Sequence, residues 1–325
     1  MTKRTLFRAA AAMAMAAVLP GIASAQDYPA KPIRLVVPFP PAGGTDVLSR
    51  AIGQAITTHT KWTIVIENKP GAGGNIGLDA AAKSPADGYT IAMGQTANLA
   101  VNPSLYTKMP FDPLKDFAPI ALVSSQPLIL VVAANSPYRT VKDLVDAAKA
   151  KAGKLNMASP GNGTIGHIGG ELFQRRAGIS MTHVPYKGAG PAVADLMGGS
   201  VDCYFGNSQS VSGLVIGGRL RPLAVTSPRR LATLPDVPTI AESGYPGFEA
   251  ATWSGLVAPA GTPRPIVDRL NAEANKALAS PEMVKKLQED GSTPLGGTPQ
   301  QFADFIKSEH AKWGAVVREA GIKLD

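Results

Sequence analysis

The chain has 325 residues, with 32 lysines and arginines against 24 aspartates and glutamates, a formal charge of +8 and one cysteine. A single cysteine excludes an intramolecular disulfide, and basic residues that are scattered rather than blocked leave no nucleic-acid footprint. The length allows two domains of ordinary size, each with its own core.

The first 25 residues stand apart. Lys3, Arg4 and Arg8 precede an Ala/Met/Val/Leu run to Leu19, Pro20 and Gly21 break it, and Ala23-Ser24-Ala25 offers the small residues of a cleavage site. This reads as a secretory signal peptide, 1–25, cut after Ala25, because the apolar run is too short to span a bilayer. The segment holds no cysteine for a lipid anchor, and its loss lowers the charge from +8 to +5.

Beyond it, short β-rich runs alternate with helical patterns. Ile33 to Val37 predicts a strand, and Val47, Leu48, Ala51, Ile52, Ala55 and Ile56 recur on one face of a helix that Thr45 or Asp46 caps. Residues 63–67 predict a strand, 74–83 a helix and 89–94 a third strand, a βαβαβ pattern that implies a largely parallel sheet. A second series begins near residue 120: strand 127–134, helix 140–151, strand 155–159, helix 163–178, then runs at 181–186, 191–199, 201–207 and 220–227. From Trp253 one strand is followed by helices at 264–279, 281–290 and 299–320. The last carries a stripe of Phe302, Phe305, Ile306, Trp313, Val316 and Val317 that needs a partner surface, and packing it back on the first domain divides that domain into two segments. Two α/β lobes joined by crossing segments leave a cleft for a ligand.

Candidate ligand positions lie where strands run into helices. At "VVPFPPAGGTD" (36–46), Gly43 and Gly44 can turn consecutive N–H groups outward, and the helix start adds unpaired donors with a partial positive charge. The same glycines also suit a plain chain reversal. No phosphate-loop or dinucleotide fingerprint is present; in "NKPGAGGNIG" (68–77) the third glycine of that spacing is replaced by Ile76. At "SPGNGTIGH" (159–167), Gly161, Gly163 and Thr164 form the matching turn of the second lobe, and two facing helix starts make a pincer for a carboxylate. His167, one turn in, reads either as structural or as ligand-facing. Tyr186 and Lys187 end a strand within reach of the cleft, as does Asn207 at the end of 201–207. Asp202 reads as locally hydrogen-bonded and Cys203 as buried and inert. Four histidines without a His-x-x-x-His or Cys-x-x-Cys pair, and no Gly-x-Ser-x-Gly elbow, nominate no metal, cofactor or catalytic residue.

The ordered blocks "YPAKPIRLVVPFPPAGGTDVLSR", "VIENKPGAGGNIG", "SPADGYTI", "VPYKGAGPAVADLMGG", "LPDVPTIAESGYPGFE" and "WSGLVAPAGTP" resemble the tripartite tricarboxylate transporter receptors, the TctC-like or Bug family of periplasmic solute-binding proteins. The resemblance runs from Tyr28 to the end. It implies an α/β, two-lobe Venus-flytrap fold of the type II periplasmic class with a mixed, mostly parallel sheet in each lobe. Lobe 1 would comprise 26–125 plus 235–325 and lobe 2 126–234. It also implies a monomer in the periplasm that binds a small organic acid or acidic amino acid, without nucleic acid, and hands it to a membrane permease of that type. Carried onto this chain, Phe39 would shape an apolar wall, residues 42–46 would offer first-lobe donors and Gly163 with Thr164 second-lobe ones. Asp46 would orient water, cap the helix or take an amino group. Gln95 or Thr96, in "MGQTANLAVNPSLY", would line the first-lobe side. Ala42 stands where many relatives have glycine, so a left-handed backbone there would carry strain. Transport and sensing share these features, and the residues do not separate them.

Overall fold

The computed structural model describes residues 28–289, 291–321 and 323, so the signal-peptide reading lies outside the described residues. Strand β1 (Ile33–Val37) is apolar and β-branched, and it is covered on both faces. It pairs in parallel with β2 (Ile64–Asn68) and with β3 (Thr90–Gln95). Helix α1 (Gly44–Thr60) buries Leu48, Ile52 and Ile56, whereas Val47, placed on the buried stripe from the sequence, is 36% exposed. Between β2 and β3 lie a 3-10 turn (Ala72–Gly74) and α2 (Asn75–Ala82). After β3 a π-helical turn (Ala97–Val101) runs into the short α3 (Asn102–Leu105), an element the periodicity did not signal.

Strand β4 (Phe117–Ala133) holds the two halves together. The sequence predicted a strand only from residue 127; the observed one is 17 residues long, about three times an average strand. Its first half pairs antiparallel with β9 (Ala251–Pro259), from Phe117↔Pro259 to Pro127↔Ala251. From Leu128 onward it belongs to the other sheet, pairing antiparallel with β7 (Cys203–Asn207) and β8 (Leu220–Val225). That sheet continues in parallel from β7 to β5 (Asn156–Ser159) and β6 (Thr182–Pro185). The sheet of each lobe is therefore mixed, with a smaller parallel part than expected, because β4, β8 and β9 all join antiparallel. The helices of the second lobe are α4 (Val141–Ala150), α5 (Ile165–Ala177), α6 (Ala189–Gly198) and α7 (Ser208–Ile216), the last not predicted. Residues 235–250, grouped above with the first lobe, include Tyr245 and Phe248, whose rings pack edge-on against Phe173 of α5.

The chain closes with α8 (Arg264–Leu278), α9 (Pro281–Glu289), a two-residue β10 (Thr293–Pro294) paired with β4, and α10 (Pro299–Ala320). Helix α10 starts in a capping box between Thr298 and Gln301 and ends at Gly321, whose φ of 64° suits glycine. Its stripe turns inward as expected: Phe302, Ile306, Trp313 and Val317 are each 1% exposed. Trp253 of β9 meets Phe302 and Phe305 edge-on. Glu309 fixes the register. One of its oxygens, Oε2, accepts both the Trp253 and the Trp313 indole N–H at 2.9 Å.

Replacing Glu309 with leucine leaves two buried indole donors unmatched, and an unmatched donor costs about 1–3 kcal/mol. Urea unfolding should show a loss of at least about 2 kcal/mol for Glu309→Leu and a smaller one for Glu309→Gln, which keeps an acceptor. Equal midpoints for both variants and the parent would refute the clamp.

Candidate ligand-binding site

Two adjoining cavities open between the lobes, an inner chamber of about 160 Å³ and an outer one of about 530 Å³. Phe39, Pro40, Pro160, Thr164, Lys187 and Gly188 border both. The lobes touch across the cleft: a Cβ on Gly163 would lie 2.5 Å from Asn102 Oδ1, and one on Gly188 would lie 3.2 Å from Pro40 Cγ.

Four helices begin at the inner chamber. It is lined by Gly43, Gly44 and Thr45 at the start of α1, Thr164, Ile165 and Gly166 at α5, Gly188 to Pro191 at α6, and Asn207 with Ser210 at α7. Only Thr164 caps its helix through a side chain, accepting the His167 N–H; Gly43, Gly188 and Asn207 make no side-chain cap. Each helix start carries roughly half a positive charge and up to four N–H groups without an intrahelical acceptor. Among the described residues no aspartate or glutamate lines the chamber, and Lys187 is its one cationic side chain. The site therefore favours an anion.

Asp46 is near but turned away. Its Oδ2 accepts the Ala42 N–H and Arg50 Nε, each at 2.9 Å, and its Oδ1 accepts Asn68 Nδ2 at 2.9 Å. Burial works to raise this carboxyl, but the hydrogen bonds from Arg50, Asn68 and Ala42 together hold it below the usual range. Asn68 also donates to Phe39 O at 3.0 Å, so one buried carboxylate and one amide fix the loop from 39 to 46. Ala42 takes φ 62°, a left-handed conformation that carries strain for a residue with a Cβ.

Of the residues singled out from the sequence, Phe39, Ala42, Gly43, Gly44, Thr45, Gln95, Thr164, Lys187 and Asn207 line the inner chamber. Gln95 Nε2 donates to Thr45 Oγ1 at 2.5 Å and to Ser254 Oγ at 3.3 Å, tying β3 to α1 and β9. Tyr186 lines only the outer chamber, and its hydroxyl is taken by Asp195 Oδ2 at 2.6 Å, which pushes its pKa up to about 12. Asp46, Thr96, Gly163 and His167 line neither chamber. Thr96 is buried and accepts the Trp253 N–H at 2.8 Å. Asp202 accepts the Asn156 N–H at 2.7 Å and Cys203 is free and buried, both as read from the sequence. Sequence reasoning missed the α6 start, although "KGAGPAV" repeats the glycine-then-helix pattern of the other loops. It also missed Tyr204 and Thr252, whose inward direction no periodicity gives. The glycines at 71–74 line the outer chamber.

His167 underpins the second-lobe turn. Its Nδ1 accepts the Gly163 N–H at 3.2 Å, its ring stacks on His183 at 3.9 Å, and His183 Nε2 meets Ser159 Oγ at 2.7 Å. Burial lowers both imidazoles, His167 to about 3, with the neighbouring His183 contributing, and His183 to about 4.

Two measurements check this geometry. Both histidines bind protons more readily unfolded, where the pKa is about 6.5. Their contribution to stability is thus complete above that pH and is lost as pH falls, levelling only below the folded values. Between pH 6.5 and 5 each should contribute a slope approaching about 1.4 kcal/mol per pH unit, and His183→Gln should reduce the total. An unchanged slope in that variant would contradict the assignment. Ala42→Gly removes a left-handed penalty of about 1–2 kcal/mol, partly offset by the freer unfolded chain. A higher urea midpoint is expected, and a lower one would show that the loop is unstrained.

Comparison with known proteins places the chain. The family model described as "Tripartite tricarboxylate transporter family receptor", TctC, matches residues 48–322. Protein BugT of Bordetella pertussis is 42% identical over 93% of this chain and 93% of its own length. A structure of an R. palustris protein with adipate has a TM-score of 0.89 at 39% identity, covering 91% of this chain and 99% of that one. MatC from Rhodopseudomonas palustris with bound malate has a TM-score of 0.85 at 30% identity, covering 89% and 100%. The architecture is accordingly the two-lobe periplasmic-binding-protein fold of the type II class, and with a family match over most of its length, the chain belongs to the tripartite tricarboxylate transporter receptors of the TctC/Bug family.

Proposed function

We propose that the protein is a periplasmic receptor that closes its two lobes on a small organic acid and presents it to a membrane permease of the tripartite tricarboxylate type. The observation that carries this reading is the meeting of four helix starts around a chamber free of carboxylates. Charge-assisted hydrogen bonds from backbone N–H groups hold an anion without an arginine. The relatives solved with adipate and with malate support the same class of ligand. In this reading Gly43 to Thr45 and Thr164 to Gly166 grip a carboxylate from opposite lobes, Phe39 shapes an apolar wall and Lys187 adds a mobile positive charge. Asp46, His167, Thr96 and Gly163 act behind the surface, as supports of the loops. The lobes divide where β4 crosses at Gln126–Leu128 and where the chain returns at Thr226–Ala251. Export through a signal peptide cut after Ala25 would leave Gln26 as the first residue, which intact-mass measurement of the exported protein reads directly.

Thermal unfolding of the mature protein against a panel of organic acids and acidic amino acids tests the reading. A ligand that binds only the folded state raises Tm once its concentration exceeds Kd. One acid or a small group should raise Tm, and neutral analogues should not. Thr164→Ala should lose about 1 kcal/mol of stability as a cap and weaken the same acid's binding several-fold. No shift with any acid, after co-purified ligand has been excluded by mass spectrometry, would overturn the proposal.

A further inference from the structure

Helix α5 carries three glycines in its first half, Gly166, Gly169 and Gly170. Glycine is the poorest residue for a helix interior after proline, so each needs a reason in packing. Gly166 and Gly170 fit the sheet of their own lobe. A Cβ on Gly166 would lie 2.7 Å from Phe205 O in β7, and one on Gly170 would run into Met157 Sδ in β5.

Gly169 faces elsewhere. A Cβ there would lie 3.2 Å from Ala250 Cβ and 3.5 Å from Leu128 Cδ1. The Ala250 methyl is fixed to the backbone and has no rotamer by which to move aside. Both neighbours are buried, and the Thr226 hydroxyl joins them, accepting the Leu128 N–H and donating to the Ala250 carbonyl. These are the segments by which the chain passes between the lobes. The Gly169 backbone is not left-handed, so its conformation does not require glycine; the closeness of the crossing does.

The other end of the same stretch borders the ligand. Thr164, Ile165 and Gly166 line the inner chamber, whereas Gly169 lines neither chamber. Ile165 stands one turn before Gly169 on the same helix face, its Cγ2 4.0 Å from the same Cβ position. Packed atoms thus run without a gap from the chamber through Ile165 and Gly169 to the crossing, and closely packed interiors transmit displacement.

We infer that Gly169 is a positioning residue for lobe closure: its bare backbone seats α5 on the paired crossing, so that the acid's hold on the α5 start sets the angle at which the lobes close. The inference rests on the organic-acid receptor reading and deepens it, naming how that site is coupled to the hinge.

Moving the methyl group across this contact tests it. Gly169→Ala, Ala250→Gly and the double variant are compared with the parent by calorimetric titration with adipate, malate, succinate and glutamate. Gly169→Ala drives α5 off the crossing and Ala250→Gly leaves a gap beneath it. Each should weaken the best-bound acid by about two- to thirtyfold, with the loss in the dissociation rate. In the double variant the methyl has only changed sides, and most of the affinity should return, as it does for residues in contact and not for independent ones. A role in fold stability alone would lower the ligand-free melting temperature and leave affinity unchanged. Parent-like affinity in a folded single variant, or losses that simply add in the double, would overturn the inference and leave the organic-acid reading standing. Should Gly169→Ala not fold, Ala250→Gly decides by the same criterion. Failure of the parent to bind any of the four acids would overturn both.

Discussion

At the crossing between the lobes the Thr226 hydroxyl accepts the Leu128 N–H at 2.7 Å and donates to the Ala250 carbonyl, while the Thr226 N–H donates to Leu128 O at 2.9 Å. This fully buried threonine thereby ties the outgoing strand β4 to the segment returning into β9. The tie falls where β4 passes from one sheet to the other. Pro127 pairs with Ala251 in the first sheet, and Leu128 pairs with Asn207 in the second. A proline has no N–H for the ladder, so the handover occurs at a residue whose missing donor is least disruptive. A paired crossing of this kind is the arrangement about which hinge closure can occur.

That constraint gives the site its electrostatics. With the lobes joined at this double crossing, the helix starts that follow β1 and β5 and those that follow β6 and β7 all border the inner chamber. Each helix contributes a partial charge that does not titrate and a set of donors whose directions the backbone fixes. The one carboxylate in the opening loop, Asp46, would oppose an anion if it faced the chamber. Arg50, Asn68 and the Ala42 N–H draw it to the outer side, where it organises the loop instead. The histidine stack plays a comparable part in the second lobe, holding Gly163 through a neutral ring nitrogen.

Much of the fold was legible because local signals and tertiary structure agree. The βαβαβ opening, the capping box at Thr298 and the apolar stripe of α10 each follow from spacing and side-chain type. The first half of β4 was hidden: Pro119, Ser124 and Ser125 interrupt its apolar run, and the strand exists because β9 and β10 lie on either side of it. The π-helical turn at Ala97–Val101 had no signature either, since its wide hydrogen bonding is imposed by packing under α10. In the site, glycine turns before helices were readable one at a time. The pairing of the α1 and α5 starts followed from the two-lobe pattern, but the addition of the α6 and α7 starts did not, because it depends on chain crossings far apart in sequence. Tyr204 shows the limit most clearly. A tyrosine in the run "VDCYFGN" reads as core from its neighbours, and only the three-dimensional arrangement shows that it also borders the inner chamber.

Lobe closure and the helix-start donors bear on each other. Closing the lobes on an empty chamber takes N–H groups at the helix starts out of bulk water without giving them acceptors, at about 1–3 kcal/mol for each one left fully unsatisfied. Direct contacts between lobes, such as Gly163 against Asn102 and Gly188 against Pro40, act in the opposite sense. A ligand shifts this balance only through its differential affinity for the closed form. An acid that satisfies donors from both lobes at once has that property, whereas one bound to the α1 start alone would not. The same donors that recognise the ligand therefore also set how far its binding favours closure, and a permease that reads the closed shape thereby reads the ligand's fit.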